Sequence, residues 1–113
     1  MTLTLYLAAA LLCTPAECYP ALVGRETPLG RFPLVQRFVA AKSYGGDVLQ
    51  FHETETHIYA IHRVWLGRPS ERRLERLASA DPADRRAITG GCVNVMPDVY
   101  ERLLAAEVLE IRP

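Results

Sequence analysis

The chain has 113 residues, half of them hydrophobic and 23% charged, a composition that suits a soluble globular protein with one core and no room for a second. Its 13 basic and 13 acidic side chains leave a formal net charge of zero, so overall charge gives no grip on nucleic acid or an anionic membrane surface. Small-molecule, peptide or protein partners are favoured instead, and residues 1–113 read as a single domain.

In chain order, Met1 to Leu12 (MTLTLYLAAALL) is too short to span a bilayer. It reads as a strand, followed by TPAE (14–17) as a turn and CYPALVG (18–24) as a returning strand. The alternative is that residues 1–17 are a signal segment. That alternative has a weak small-residue site at Thr14-Pro15-Ala16 but no Lys or Arg ahead of the apolar run. Cys13 and Cys18 flank the turn and would face each other across a hairpin, as a disulfide or as two buried thiols. Cys92 is then left over, which makes it a candidate reactive thiol.

Thr27-Pro28-Leu29-Gly30 reads as a tight turn. GRFPLVQRFV (30–39), DVLQFHE (47–53) and HIYAIHRVW (57–65) are rich in β-branched and aromatic residues between Gly, Pro, Asp and Thr clusters, as strands of a mostly antiparallel sheet or sandwich would be. YGGDVLQF (44–51) either lines a groove through Tyr44 or is a loop entering a strand. SERRLERLASA predicts a helix capped by Ser70, with Leu74, Leu77 and Ala78 on one face. DPADRRA predicts a second, capped by Asp81 with Pro82 at its first position. AITGGCVNV returns to β; PDVYERLLAA is a last helix with an apolar stripe of Val99, Leu103 and Leu104; EVLEI (107–111) is a closing strand.

A thiol nucleophile needs a base and donors for the oxyanion that its attack creates. Gly90 and Gly91 precede Cys92, and unobstructed N–H groups at Gly91 and Cys92 are natural donors there. His52 and His57 bracket ETET, a solvent-facing turn. The five-residue steps His52, His57, His62 fit no common zinc spacing and there is no CxxC, so no metal is expected. His62 ends an apolar strand and is either the base or a satisfied core histidine. Between Arg63 and Arg86 lie seven arginines against four acids. That run is either a solvated face or a rim for an anionic substrate, with Arg85 and Arg86 as the candidate contacts. Trp65 reads as core or rim packing.

TPLGRF (27–32), YAIHR (59–63) and ITGGCVNV (88–95), in that order, resemble motifs of the catalytic domain of bacterial L,D-transpeptidases, cysteine enzymes that cross-link or trim peptidoglycan. The resemblance covers about residues 18–111, and the Arg-rich stretch before Cys92 looks like the subgroup with a longer insert. It implies a mostly β, L,D-transpeptidase-like sandwich with a short helical insert and a C-terminal helix. It further implies Cys92 as nucleophile, His62 as general base oriented by a backbone carbonyl near Arg63, and Gly91, Thr89 and Asn94 as the remaining matched positions of the Cys92 block. Peptidoglycan stem peptides would be the substrate, a thioester the intermediate, and the periplasm or cell envelope the location, with no cofactor. Two features depart from the common pattern. Gly90 stands where many members have a second histidine, and the 30 positions from His62 to Cys92 exceed the usual spacing. Another cell-wall Cys-His peptidase or amidase, or a non-catalytic envelope domain of the same fold, are the alternatives.

Overall fold

A computed structural model describes residues 1–39 and 46–113. Tyr44, one of the expected groove residues, lies outside the described residues. Among the described residues nine strands form two packed sheets. One holds β1 (Thr2–Tyr6), β2 (Leu11–Cys13), β3 (Cys18–Pro20), β4 (Gly30–Pro33) and β9 (Val108–Arg112), in the order β3-β2-β1-β9-β4. The other holds β5 (Val35–Phe38), β6 (Asp47–Glu53), β7 (Ile58–Arg63) and β8 (Val93–Val95), in chain order. Most pairs are antiparallel, as the short turns require, but β1 pairs with β9, and β7 with β8, in parallel.

Alternation along the strands builds the core. Leu3 and Leu5 of β1 and Leu109 and Ile111 of β9 face inward and meet Leu49, Phe51, Ile61, Val93 and Val95 from the other sheet. Helix α2 (Pro97–Glu101) and the turn after it add Tyr100 and Leu103, both fully buried. Leu104, expected on the same stripe, is exposed at 37% because the helix ends at Glu101 and its successors turn away.

Three expectations are corrected. The N-terminal apolar run is two strands, because the chain reverses over residues 7–10 with Ala10 at φ 49°. The stretch 30–39 is likewise two strands in different sheets, divided at Leu34. Ser70 caps nothing: it lies within a 3-10 turn (Pro69–Glu71), and α1 (Arg73–Ala78) starts after Arg72 in left-handed geometry. Asp81 does cap, its carboxylate accepting from the Ala83 N–H at 2.9 Å, although the element it starts is a 3-10 turn (Pro82–Arg85). Cys13 and Cys18 are directly opposed in the β2–β3 register and form a disulfide.

Candidate active site

The parallel pairing of β7 with β8 sets His62 opposite Asn94. Residues directly opposed in a sheet share a face, and so do residues two apart on one strand. Ala60, His62, Cys92 and Asn94 therefore lie on one face, while Ile61, Val93 and Val95 turn into the core. Cys92 and His62 are thus diagonal neighbours across the pair, and both line one cleft of about 310 Å³.

Two threonines hold the loop that presents the thiol. Thr27 donates its hydroxyl to the Gly91 carbonyl at 3.0 Å and accepts from the Gly24 N–H, also at 3.0 Å. Thr89 donates to the Cys92 carbonyl at 2.6 Å and accepts from the Gly91 N–H at 3.1 Å. Gly91 is required on two grounds: its φ is 135°, and a Cβ there would overlap the Tyr59 ring. Gly90 is unlike it, since a Cβ there would meet nothing within 4 Å.

His62 is 4% exposed, and its Nδ1 lies 2.7 Å from the Arg63 carbonyl oxygen. A carbonyl only accepts, so Nδ1 carries the hydrogen and Nε2 is the basic nitrogen. Asn94 is fully buried; its Oδ1 accepts from Arg73 Nη1 at 2.8 Å and from the Trp65 N–H at 3.3 Å. Its Nδ2 consequently faces His62 Nε2 at 3.4 Å. Arg63 itself ties the strand to its surroundings, through Asp47 and Glu101 at 2.9 Å each and by lying 4.2 Å over the Tyr100 ring.

Burial lowers the pKa of His62 to about 4; the bond to the Arg63 carbonyl opposes that shift, and the nearby charge of Arg73 adds to it. Burial also pushes the Cys92 thiol up, against the Ala60 N–H and the Arg73 charge, which pull it down. The sulfur lies 3.7 Å from the Ile58 carbonyl oxygen, to which its S–H donates. The pair is therefore a neutral thiol beside a neutral imidazole.

Several expected site residues fall elsewhere. Arg85 is buried at 4% exposure, and its guanidinium donates to the carbonyls of Ala9, Ala10 and Ser79. It closes the β1–β2 turn and takes no part in the rim, because the 3-10 geometry of residues 82–85 turns it inward. Arg86 lines a separate hollow with Arg25 and Thr27. Thr89 lines the cleft, but its hydroxyl is committed to the loop. The Gly91 N–H is likewise taken by Thr89, which leaves the N–H groups of Gly90 and Cys92 as the loop's donors. His52 stacks on Tyr59 at 5.7 Å and does not line the cleft, whereas the exposed His57 does.

Ile58, Tyr59 and Arg73 also line the cleft, and sequence reasoning had not singled them out. Counting back by twos from His62 finds Ile58. Nothing in the spacing of the Arg-rich insert distinguishes Arg73 from its neighbours. Among the described residues, no three His, Cys, Asp or Glu side chains gather as a metal site needs, and no helix is long and apolar enough to cross a membrane.

No protein-family model matches the sequence, and no curated protein matches it. Among solved structures the chain is similar to an L,D-transpeptidase from Mycobacterium smegmatis, with a TM-score of 0.56 at 14% identity. The match covers 99% of this chain and 58% of that one, so the chain spans little more than half its length. The likeness is one of fold: mostly β, two sheets and short helices, in an L,D-transpeptidase-like arrangement.

Proposed function

We propose that residues 1–113 form one catalytic domain, a cysteine acyltransferase acting on peptidoglycan stem peptides as an L,D-transpeptidase. The observation that carries this reading is the placing of Cys92 and His62 on one sheet face and in one cleft, with His62 Nδ1 bonded to the Arg63 carbonyl, which makes Nε2 the basic nitrogen of the ring. The transpeptidase-like fold and the motif order of the sequence support the choice of substrate. The disulfide between Cys13 and Cys18 suits an oxidising compartment such as the cell envelope.

In this reading the Cys92 sulfur attacks the carbonyl after the third stem residue as its proton passes to His62 Nε2. Proton transfer accompanies attack because the resting pair is neutral. Loop N–H groups at Gly90 and Cys92 receive the developing oxyanion. The C–N bond then breaks, the His62 proton goes to the departing amine of the D-residue, and a thioester remains. An incoming amine attacks the thioester, gives its proton to His62 and restores the thiol, forming a cross-link; water in its place yields a trimmed peptide.

Intact-mass spectrometry after incubation with a carbapenem tests the proposal. One covalent adduct is expected on the wild type and none on Cys92→Ala. Absence of the adduct on the wild type, or its survival in Cys92→Ala, rejects the assignment.

A further inference from the structure

Among the described residues that line the Cys92 cleft, Arg73 carries the only permanent charge and none is a carboxylate. Its side chain is 9% exposed and is fixed from several sides: Nη1 on Asn94 Oδ1 at 2.8 Å, the guanidinium 5.2 Å from the Trp65 ring, and Nε facing Glu71 at 3.5 Å. Neither Arg73 Nε nor Glu71 Oε1 makes a hydrogen bond, so this ion pair is loose. Arg68 stacks over the same Trp65 at 5.9 Å and adds a second cation at the indole. Glu71 offsets part of this charge from behind, but it does not line the cleft, so on the cleft side the guanidinium faces no acid and attracts anions, field lines being concentrated between low-dielectric walls. The Arg73 charge is felt at both reacting groups, since it acts on the titration of Cys92 and of His62.

We infer that Arg73 is a specificity determinant that makes the Cys92 cleft select anionic electrophiles. On the acyl-transfer reading above, on which the substrate part of this inference rests, the favoured donors carry a free carboxylate one residue beyond the scissile carbonyl. A donor whose terminal carboxylate is amidated would lose the attraction while keeping every other contact. The selectivity therefore belongs to the charge on the leaving segment.

The test compares alkylation of Cys92 by iodoacetate and by iodoacetamide, which differ in charge and little in size. Taking the ratio of the two rates cancels the thiolate fraction, so a change in thiol pKa does not move it. The wild-type ratio is expected to exceed that of an uncharged cysteine peptide by about fivefold and to fall towards it as salt is raised. Arg73→Gln should bring it down to the peptide value, and Arg73→Lys should keep most of it. A wild-type ratio no higher than the peptide's overturns the inference without recourse to any variant, and so does an unchanged ratio in a folded Arg73→Gln protein. A parallel assay with tetrapeptide donors ending in carboxylate or carboxamide separates the two claims. If neither donor acylates Cys92 while the alkylation ratio holds, the transpeptidase reading fails and the anion selectivity stands. Equal kcat/KM for the two donors in the wild type overturns the substrate part.

Discussion

Asn94 presents its carboxamide nitrogen to Nε2 of His62 at 3.4 Å, because its oxygen is already held by Arg73 and by the Trp65 N–H. A donor aimed at Nε2 favours the neutral ring, in the same direction as burial. Asn94 therefore helps keep the His62 ring neutral.

That state has a stability signature. His62 has a pKa of about 4 in the folded chain and about 6.5 when unfolded, so between these values the unfolded chain binds the extra proton. The stabilisation is complete above about pH 6.5 and is lost as pH falls through 4, by roughly 3 kcal/mol in all. Urea midpoints at pH 7 and pH 4.5 should show this loss in the wild type and a smaller one in His62→Gln. Equal losses in both would assign the slope to other groups.

The thiol should behave as a buried one. Alkylation of Cys92 by iodoacetamide is expected to climb with pH beyond the range of an ordinary thiol, with no shoulder between pH 5 and 8. In the proposed reaction, His62→Gln slows acylation by about 10²-fold or more, yet it leaves alkylation above pH 9 within a few-fold, since no base is needed there. A reactive thiolate plateau below pH 7 would contradict the neutral resting pair.

The two glycines before Cys92 should respond oppositely. Gly91→Ala drives a methyl into the Tyr59 ring at a backbone angle that L-residues rarely adopt, at a cost of about 3 kcal/mol and with displacement of the thiol loop. Gly90→Ala meets open space and should leave the melting temperature nearly unchanged. Paired thermal melts decide the matter, and equal effects would mean that the loop relaxes around both.

Arg85 and Arg86 form a second contrast. Replacing Arg85 by Ala leaves the carbonyls of Ala9 and Ser79 without that donor, while Ala10 keeps the Ala21 N–H, and opens a hole beneath the β1–β2 turn, at a cost of about 3 kcal/mol. Arg86→Ala, at an exposed position, should stay within about 0.5 kcal/mol. Chemical denaturation of the two variants measures the difference. A destabilisation shared equally would show that the turn does not depend on Arg85.

The Cys13–Cys18 bridge closes a short loop between adjacent strands at the edge of the five-stranded sheet. Chain-entropy reasoning gives about 2 kcal/mol for a loop of this size. The double Cys→Ser variant should lose that much in urea while its Cys92 alkylation rate stays the same. A changed alkylation rate would couple the bridge to the cleft.

Residues 47–53 and 58–63 were legible as strands because their β-branched and aromatic runs end at polar turns, and the Asp81 cap was legible from its proline. The breaks at Ala10 and Leu34 were not. Each lies inside an apolar run, and what divides it is tertiary: Arg85 binding the carbonyls of a turn, or a strand leaving one sheet for the other. In the site, Cys92 and His62 could be named because their residue types are rare in this chain and chemically pointed. Which arginine meets the cleft could not, because six-residue α1 offers too little periodicity to tell an inward guanidinium from an outward one.

The pairing of β1 with β9 has a bearing on how this protein folds. The two strands come from opposite ends of the chain and lie side by side within one sheet, so their contacts require the largest loop closure the molecule makes. β4 in turn has β9 as its ladder partner. Hairpins such as β1–β2 and β6–β7 can close locally and early, but the five-stranded sheet cannot be completed until β9 arrives. Topology of this kind gives slow folding for its size. Until residues 108–112 are in place, the β9-facing edges of β1 and β4 have unpaired backbone groups, the interval in which the chain is most open to aggregation.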